Sequence, residues 1–176
     1  MSEKVLMNNK IHSRIFKICL SSVFAALVCA GTFVSIPLPF GYFNLGDIVV
    51  LLSAWTLGPL YGALAAAIGS GLADLLMSYA LYIPATVIIK SAMAVCAYFV
   101  IVLLKKAIPR LGVFQKIISA VCAEVIMISG YFAYEFFLIY GKGALASVFG
   151  NLLQGICAVI GSVILGHILE KVIGKR

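Results

Sequence analysis

The sequence predicts an all-α integral membrane protein of six transmembrane helices with both termini cytoplasmic. Three observations predict it: the composition, the punctuation of long apolar runs, and the positions of lysine and arginine. Of 176 residues, 64% are hydrophobic and 11% charged, whereas soluble domains are about half apolar and about a quarter charged. A water-soluble core of this size has no use for that excess. A net charge of +7 taken alone also suits nucleic acid, but here the basic residues sit at the ends of apolar runs, where they set membrane topology.

Residues 1–14 read as a cytoplasmic segment carrying Lys4, Lys10 and Arg14. The apolar run Ile15–Ile36 follows, longer than the roughly 20 residues a bilayer core requires. It is too long for a signal-peptide core, and Ala26-Leu27-Val28 ahead of Cys29 lacks the small residue of a lipoprotein cleavage site. It is therefore expected to stay as the first helix. Pro37 and Pro39 stop it, because proline has no N–H to donate and disfavours a helical residue before it. The second apolar segment, Ile48–Leu57, is short for a span. It is either steeply placed and partly interfacial or extended into the Gly58-Pro59 turn. The third helix is expected over Leu60–Ser78, the fourth over Pro84–Leu104, the fifth over Ile117–Tyr140 and the sixth over Ala144–Ile168. The membrane domain thus occupies 15–170, with an outward-facing pocket, and 171–176 is a basic cytoplasmic tail.

Six crossings put Lys4, Lys10, Arg14 and Lys17 on the same face as Lys105, Lys106, Arg110 and Lys116, and as Lys171, Lys175 and Arg176. Only Lys90 and Lys142 of the 13 basic residues fall elsewhere. The positive-inside rule makes that face cytoplasmic.

Ionisable groups inside such segments are costly and point to function. Asn44 and Asp47 open the second helix, Asp74 ends the third, and Lys90 lies two turns into the fourth. Glu124, Ile128, Tyr131 and Glu135 share one face of the fifth helix, and Asn151 and Gln154 are neighbours on the sixth. Most of this set falls at one level, in the outer half, as an outward pocket requires. Bland readings stand beside it. Asp47 in the first turn of a helix suits its free N–H groups and its dipole. Asp74 and Lys90 make a structural salt bridge, and Glu135 sits at the lipid–water boundary. Tyr79, Tyr82, Tyr134 and Tyr140 read as an interfacial aromatic belt.

Small residues recur every four positions through Gly58, Gly62, Ala66, Ser70 and Asp74, the spacing that lets membrane helices approach closely. On the first helix Ser22, Ala26 and Ala30 form a second small-residue face, beside Ser21 and Ala25, open to a neighbour in this chain or to a partner. The five cysteines are scattered through apolar runs without a CxxC pair and read as packing residues. No GxxxxGK[ST] loop, HExxH or GxSxG is present, so neither ATP hydrolysis nor a familiar intramembrane enzyme is expected, and no cofactor.

Asn44-Leu-Gly-Asp47, Leu57-Gly-Pro-Leu-Tyr-Gly62, Gly69-Ser-Gly-Leu-Ala-Asp74 and Pro84-Ala-Thr-Val-Ile-Ile-Lys90 resemble the substrate-binding S component of energy-coupling factor (ECF) vitamin transporters, in the riboflavin-type group. The resemblance implies six helices, a vitamin site near the outer face, and docking of the Ser22/Ala26/Ala30 face on a transmembrane coupling subunit driven by two ATPases. The expected function is capture of a small water-soluble vitamin from outside and its delivery inward across the cell membrane. Carboxylates outnumber Lys90 in the polar set and favour an amine or pyridinium-like ligand, so a B6-type vitamin or a pyrimidine thiamine precursor suits better than an anion. Riboflavin stays open and asks for a larger cavity. A stand-alone proton-coupled carrier or channel is the competing expectation.

Overall fold

The computed structural model describes residues 3–38 and 41–173. Six helices account for most of the chain: α1 (Glu3–Phe33), α2 (Gly46–Leu57), α3 (Pro59–Leu76), α4 (Ile83–Ala107), α5 (Phe114–Leu138) and α6 (Leu145–Ile173). Five of them are long and apolar enough to cross a membrane, and α2 is a shorter apolar helix. Short 3₁₀ turns at Pro109–Leu111 and Gly141–Ala144 precede α5 and α6. The chain is an all-α membrane bundle, as its composition requires. The helices overrun the expected limits where polar residues continue them. Thus α1 starts at Glu3 within the segment read as a separate cytoplasmic stretch, and α6 runs on to Ile173. The last three residues of the basic tail lie outside the described residues.

Between α1 and α2 the expected loop is an antiparallel hairpin of β1 (Ser35–Leu38) and β2 (Gly41–Asn44), with Ser35 opposite Asn44 and Leu38 opposite Gly41. Ile36, Tyr42 and Phe43 are strand-favouring types, and a two-stranded ribbon has open edges where Pro37 is tolerated. The hairpin brings the chain back onto α1, where the Leu45 N–H donates to the Gly31 carbonyl at 3.1 Å.

This return explains the short second helix. At 1.5 Å per residue α2 is about 18 Å long, well under a bilayer core of about 30 Å. It is neither interfacial nor prolonged through Gly58-Pro59. It ends at Leu57, and Gly58, at φ 85°, donates its N–H to Ala54. The helix sits in the middle of the bundle against α1, α3, α4 and α6, with Asp47, Val50, Leu51, Ser53 and Ala54 fully buried. Its first turn starts well inside, so twelve residues suffice. Irregular backbone at that depth is tolerated where protein surrounds it or where it lines a cavity.

The small-residue stripe acts as helix–helix contact: at Gly62 a Cβ would lie 2.9 Å from the Ala54 Cα of α2. Gly69, beside the stripe, makes a second close approach. At Gly69 a Cβ would lie 2.4 Å from the Ala25 carbonyl oxygen of α1, so only glycine permits this approach. Ser21 Oγ donates to the Tyr61 carbonyl across the same contact. Ser21 and Ala25 therefore face α3, while Ser22, Ala26 and Ala30 remain exposed. The main apolar core runs from Val28 through Leu51 and Met93 to Met127 and Ala158, linking α1, α2, α4, α5 and α6.

Candidate ligand-binding site

At the hairpin end of the bundle a cavity of about 580 Å³ opens between β2, α4, α5 and α6. Asn44, Lys90 and Gln154 lie at its floor, Tyr131 and Glu135 line it from α5, and Ser147, Gly150 and Asn151 from α6. Tyr79, Tyr82 and Tyr140 close it from the two connecting turns at this end.

The floor is one hydrogen-bonded unit made from four elements. Gln154 Oε1 accepts from both the backbone N–H (3.2 Å) and the side-chain amide (3.0 Å) of Asn44, and Gln154 Nε2 donates to Asp47 Oδ2 at 2.5 Å. The other oxygen of Asp47 holds the Lys90 ammonium in a buried ion pair. That ammonium also lies 5.4 Å from the centre of the Tyr131 ring, a cation–π distance. The Tyr131 hydroxyl donates a hydrogen bond to Thr86 Oγ1 at 3.0 Å. Lys90 is the eighth residue of α4 and Gln154 the tenth of α6. The start of α2 thus sits roughly 11 Å below the ends of those helices. A buried ion pair offsets its desolvation only when further hydrogen bonds satisfy the remaining lone pairs and protons, and the Gln154 amide does this for Asp47.

The wall is phenolic. Glu135 is 6% exposed and accepts from Tyr82 (3.2 Å) and from the Ser147 hydroxyl. Burial, the neighbouring Tyr140 side chain and the Glu135 charge push the Tyr82 phenol above its ordinary range, which keeps it a neutral donor. The Tyr82 ring meets Tyr79 edge-on at 6.4 Å and Tyr134 at 5.8 Å, and Tyr134 anchors to the Leu81 carbonyl.

Of the predicted residues, Asn44, Lys90, Tyr131, Glu135, Asn151 and Gln154 line the cavity, and Asp47 lies directly beneath it. Asp74 and Glu124 do not line it. The expected Asp74–Lys90 pair is absent, since Lys90 pairs with Asp47. Thr86 and Lys90 share a face of α4 four residues apart, and α3 brings Asp74 to Thr86 whereas α2 brings Asp47 to Lys90. Asp74 Oδ2 has no hydrogen-bond partner among the described residues, nor does either oxygen of Glu124. Glu124 is 3% exposed and packs on Gly155 of α6, within electrostatic reach of Asp47 and Lys90. Asp47 does lie in the first turn of α2, where its charge suits the helix dipole, but its carboxylate is taken by Lys90 and Gln154 rather than by a helix N–H. The N-cap Leu45 makes no side-chain cap, and Asn44 Oδ1 accepts from the Gly46 N–H at the helix entry. Glu135 is buried rather than at a lipid boundary. Three of the four belt tyrosines line the cavity, a role that the six-helix order signals because both turns emerge at one end.

A family model described as ECF-type riboflavin transporter, S component, matches residues 12–171. The chain belongs to that family. This S component is also 33% identical over 145 residues to a protein of Pyrococcus woesei described as an uncharacterised protein in the gap 3′ region, across 80% of this chain and 92% of that relative. Family membership supports a multi-pass membrane subunit for vitamin capture, in a transporter family that is generally non-enzymatic, and implies an ECF module as partner.

Proposed function

We propose that the S component captures a flat, nitrogen-bearing vitamin or precursor from outside in the cavity at the hairpin end, and releases it inward through an ATP-driven ECF module. One observation carries the ligand class. Asp47 beneath the cavity is already paired with Lys90, which leaves Glu135, held only by the neutral hydroxyls of Tyr82 and Ser147, as the buried acid of a wall otherwise made of tyrosines. Buried charge calls for a compensating partner, and phenol rings stack on planar systems and attract cations. A B6-type vitamin or a pyrimidine thiamine precursor in its protonated form meets both demands. Riboflavin meets the second, and a volume of about 580 Å³ lies within the usual range for ligand sites, so size does not set it apart.

The orientation rests on the basic residues. Lys105, Lys106, Arg110 and Lys171 lie at the end opposite the hairpin, and the positive-inside rule makes that end cytoplasmic. For coupling, the face of Ser22, Ala26 and Ala30 is exposed and free of bulk, which suits docking of a coupling-subunit helix. A thermal-shift and calorimetric screen of the purified chain against B vitamins and their precursors tests the ligand class. A tight hit on a cationic or protonatable ring is expected. Tight binding of only anionic vitamins contradicts the charge argument, and ATP-independent uptake by the chain alone in vesicles contradicts the coupling.

A further inference from the structure

A second cavity, of about 270 Å³, lies at the opposite end of the bundle between α2, α5 and α6. Its walls are mostly apolar, with Leu52, Trp55 and Leu169 among them, and its one buried charge is Lys116. The lysine is the third residue of α5, so its ammonium adds to the positive end of that helix. Lys116 is 6% exposed. Its Nζ lies 2.7 Å from Glu170 Oε2, yet the approach is not that of a hydrogen bond, and no other acceptor reaches it among the described residues. The Glu170 side chain is 58% exposed. A buried cation is thus left with a single carboxylate at the cavity rim, held by a long, solvated side chain.

We propose that this cavity is a binding site for an anionic phospholipid, whose headgroup phosphate takes the Lys116 ammonium in place of Glu170. Exposed Lys105, Lys106 and Lys171 ring the same end of the bundle and draw anionic headgroups toward it. A phosphate diester offers several acceptors to an ammonium that has none aligned, and the apolar walls accept the first part of an acyl chain. Basic pockets between membrane helices hold anionic headgroups by this chemistry. The Glu170 carboxylate is the built-in competitor, and at 58% exposure it is rehydrated at little cost when the phosphate takes its place.

The single tryptophan of the chain, Trp55, lines this cavity, so brominated lipids that quench its fluorescence report occupancy directly. The full chain is placed in vesicles of phosphatidylcholine with increasing brominated phosphatidylglycerol. Quenching is expected to show at least about a fivefold preference for phosphatidylglycerol. Lys116→Gln should abolish the preference, Lys116→Arg should keep it, and Glu170→Gln should raise it about two- to fivefold. Equal quenching by both headgroups in the wild type overturns the proposal, as does a preference that survives Lys116→Gln. Loss of the preference to the same extent in Lys105→Gln marks diffuse surface attraction and also overturns it. Abolition by millimolar inorganic phosphate assigns the cavity to a free anion and overturns the lipid.

Discussion

Two halves of this bundle use the same apolar alphabet to opposite ends. On the α1–α3 side, small residues bring backbones together until no space remains, as at Gly69 against the Ala25 carbonyl. On the side of α4, α5 and α6, tyrosines and buried polar groups stand between the helices at the hairpin end and leave about 580 Å³ open. The first half is held mainly by close contact, with the Ser21–Tyr61 hydrogen bond across it, and the second adds a hydrogen-bonded floor and the Asp47–Lys90 ion pair to its apolar core. In a membrane, where burial of apolar surface no longer drives helices together, the choice of small or polar residue at an interface decides whether it closes or becomes a site.

The largest effect should come from breaking the ion pair. Lys90→Met leaves the Asp47 carboxylate buried and uncompensated, a loss of about 3–5 kcal/mol, read as a large fall in thermal stability in detergent. Lys90→Met with Asp47→Leu should recover most of that stability and none of the ligand binding. Such an outcome separates the pair's structural role from its place in the floor. On the contact side, Gly69→Val forces α1 from α3 and should cost about 1–3 kcal/mol, while the folded fraction keeps its ligand affinity. Reduced affinity in that fraction would show that the two halves are not independent.

Smaller changes sharpen the site. Gln154→Ala removes the acceptor of both Asn44 donors and the donor to Asp47. A buried polar group left unpaired costs about 1–3 kcal/mol, so ligand affinity should fall about tenfold to a hundredfold by calorimetry. Tyr82→Phe deletes one hydrogen bond to Glu135, worth about 0.5–1.5 kcal/mol, and should weaken binding severalfold at most. Smallest in stability is Ser22→Leu on the exposed face of α1, within about 0.5 kcal/mol of wild type. That variant should still bind the vitamin and fail in ATP-driven uptake with the ECF module. Unimpaired uptake removes this face from coupling.

Much of this was legible in the residues. Composition and the basic clusters give an all-α membrane bundle, and the outer level shared by Asn44, Lys90, Glu135 and Asn151 marks the cavity, which also reaches Tyr131 on the Glu135 face of α5 and Gln154 nearer the midplane. What was not legible lay in pairings between helices. Helical spacing puts Thr86 and Lys90 on one face of α4 but does not say which neighbour meets which residue, so Asp74 was matched with the lysine that Asp47 holds. The hairpin was hidden because two prolines read only as a stop signal, and with it went the depth at which α2 starts. That Tyr79, Tyr82 and Tyr140 line the cavity is hidden for a related reason, since a phenol at a turn looks alike whether it faces lipid or a cavity.

The central claim is that ligand binds between the phenolic wall and the Asn44–Asp47–Lys90–Gln154 floor. Titration calorimetry of the Ala146→Trp variant with the vitamin bound by wild type tests it most directly, because Ala146 lines the cavity and makes none of the floor's hydrogen bonds. The account predicts a variant of nearly wild-type stability that no longer binds. Undiminished affinity in a folded Ala146→Trp protein would contradict it and place the ligand elsewhere.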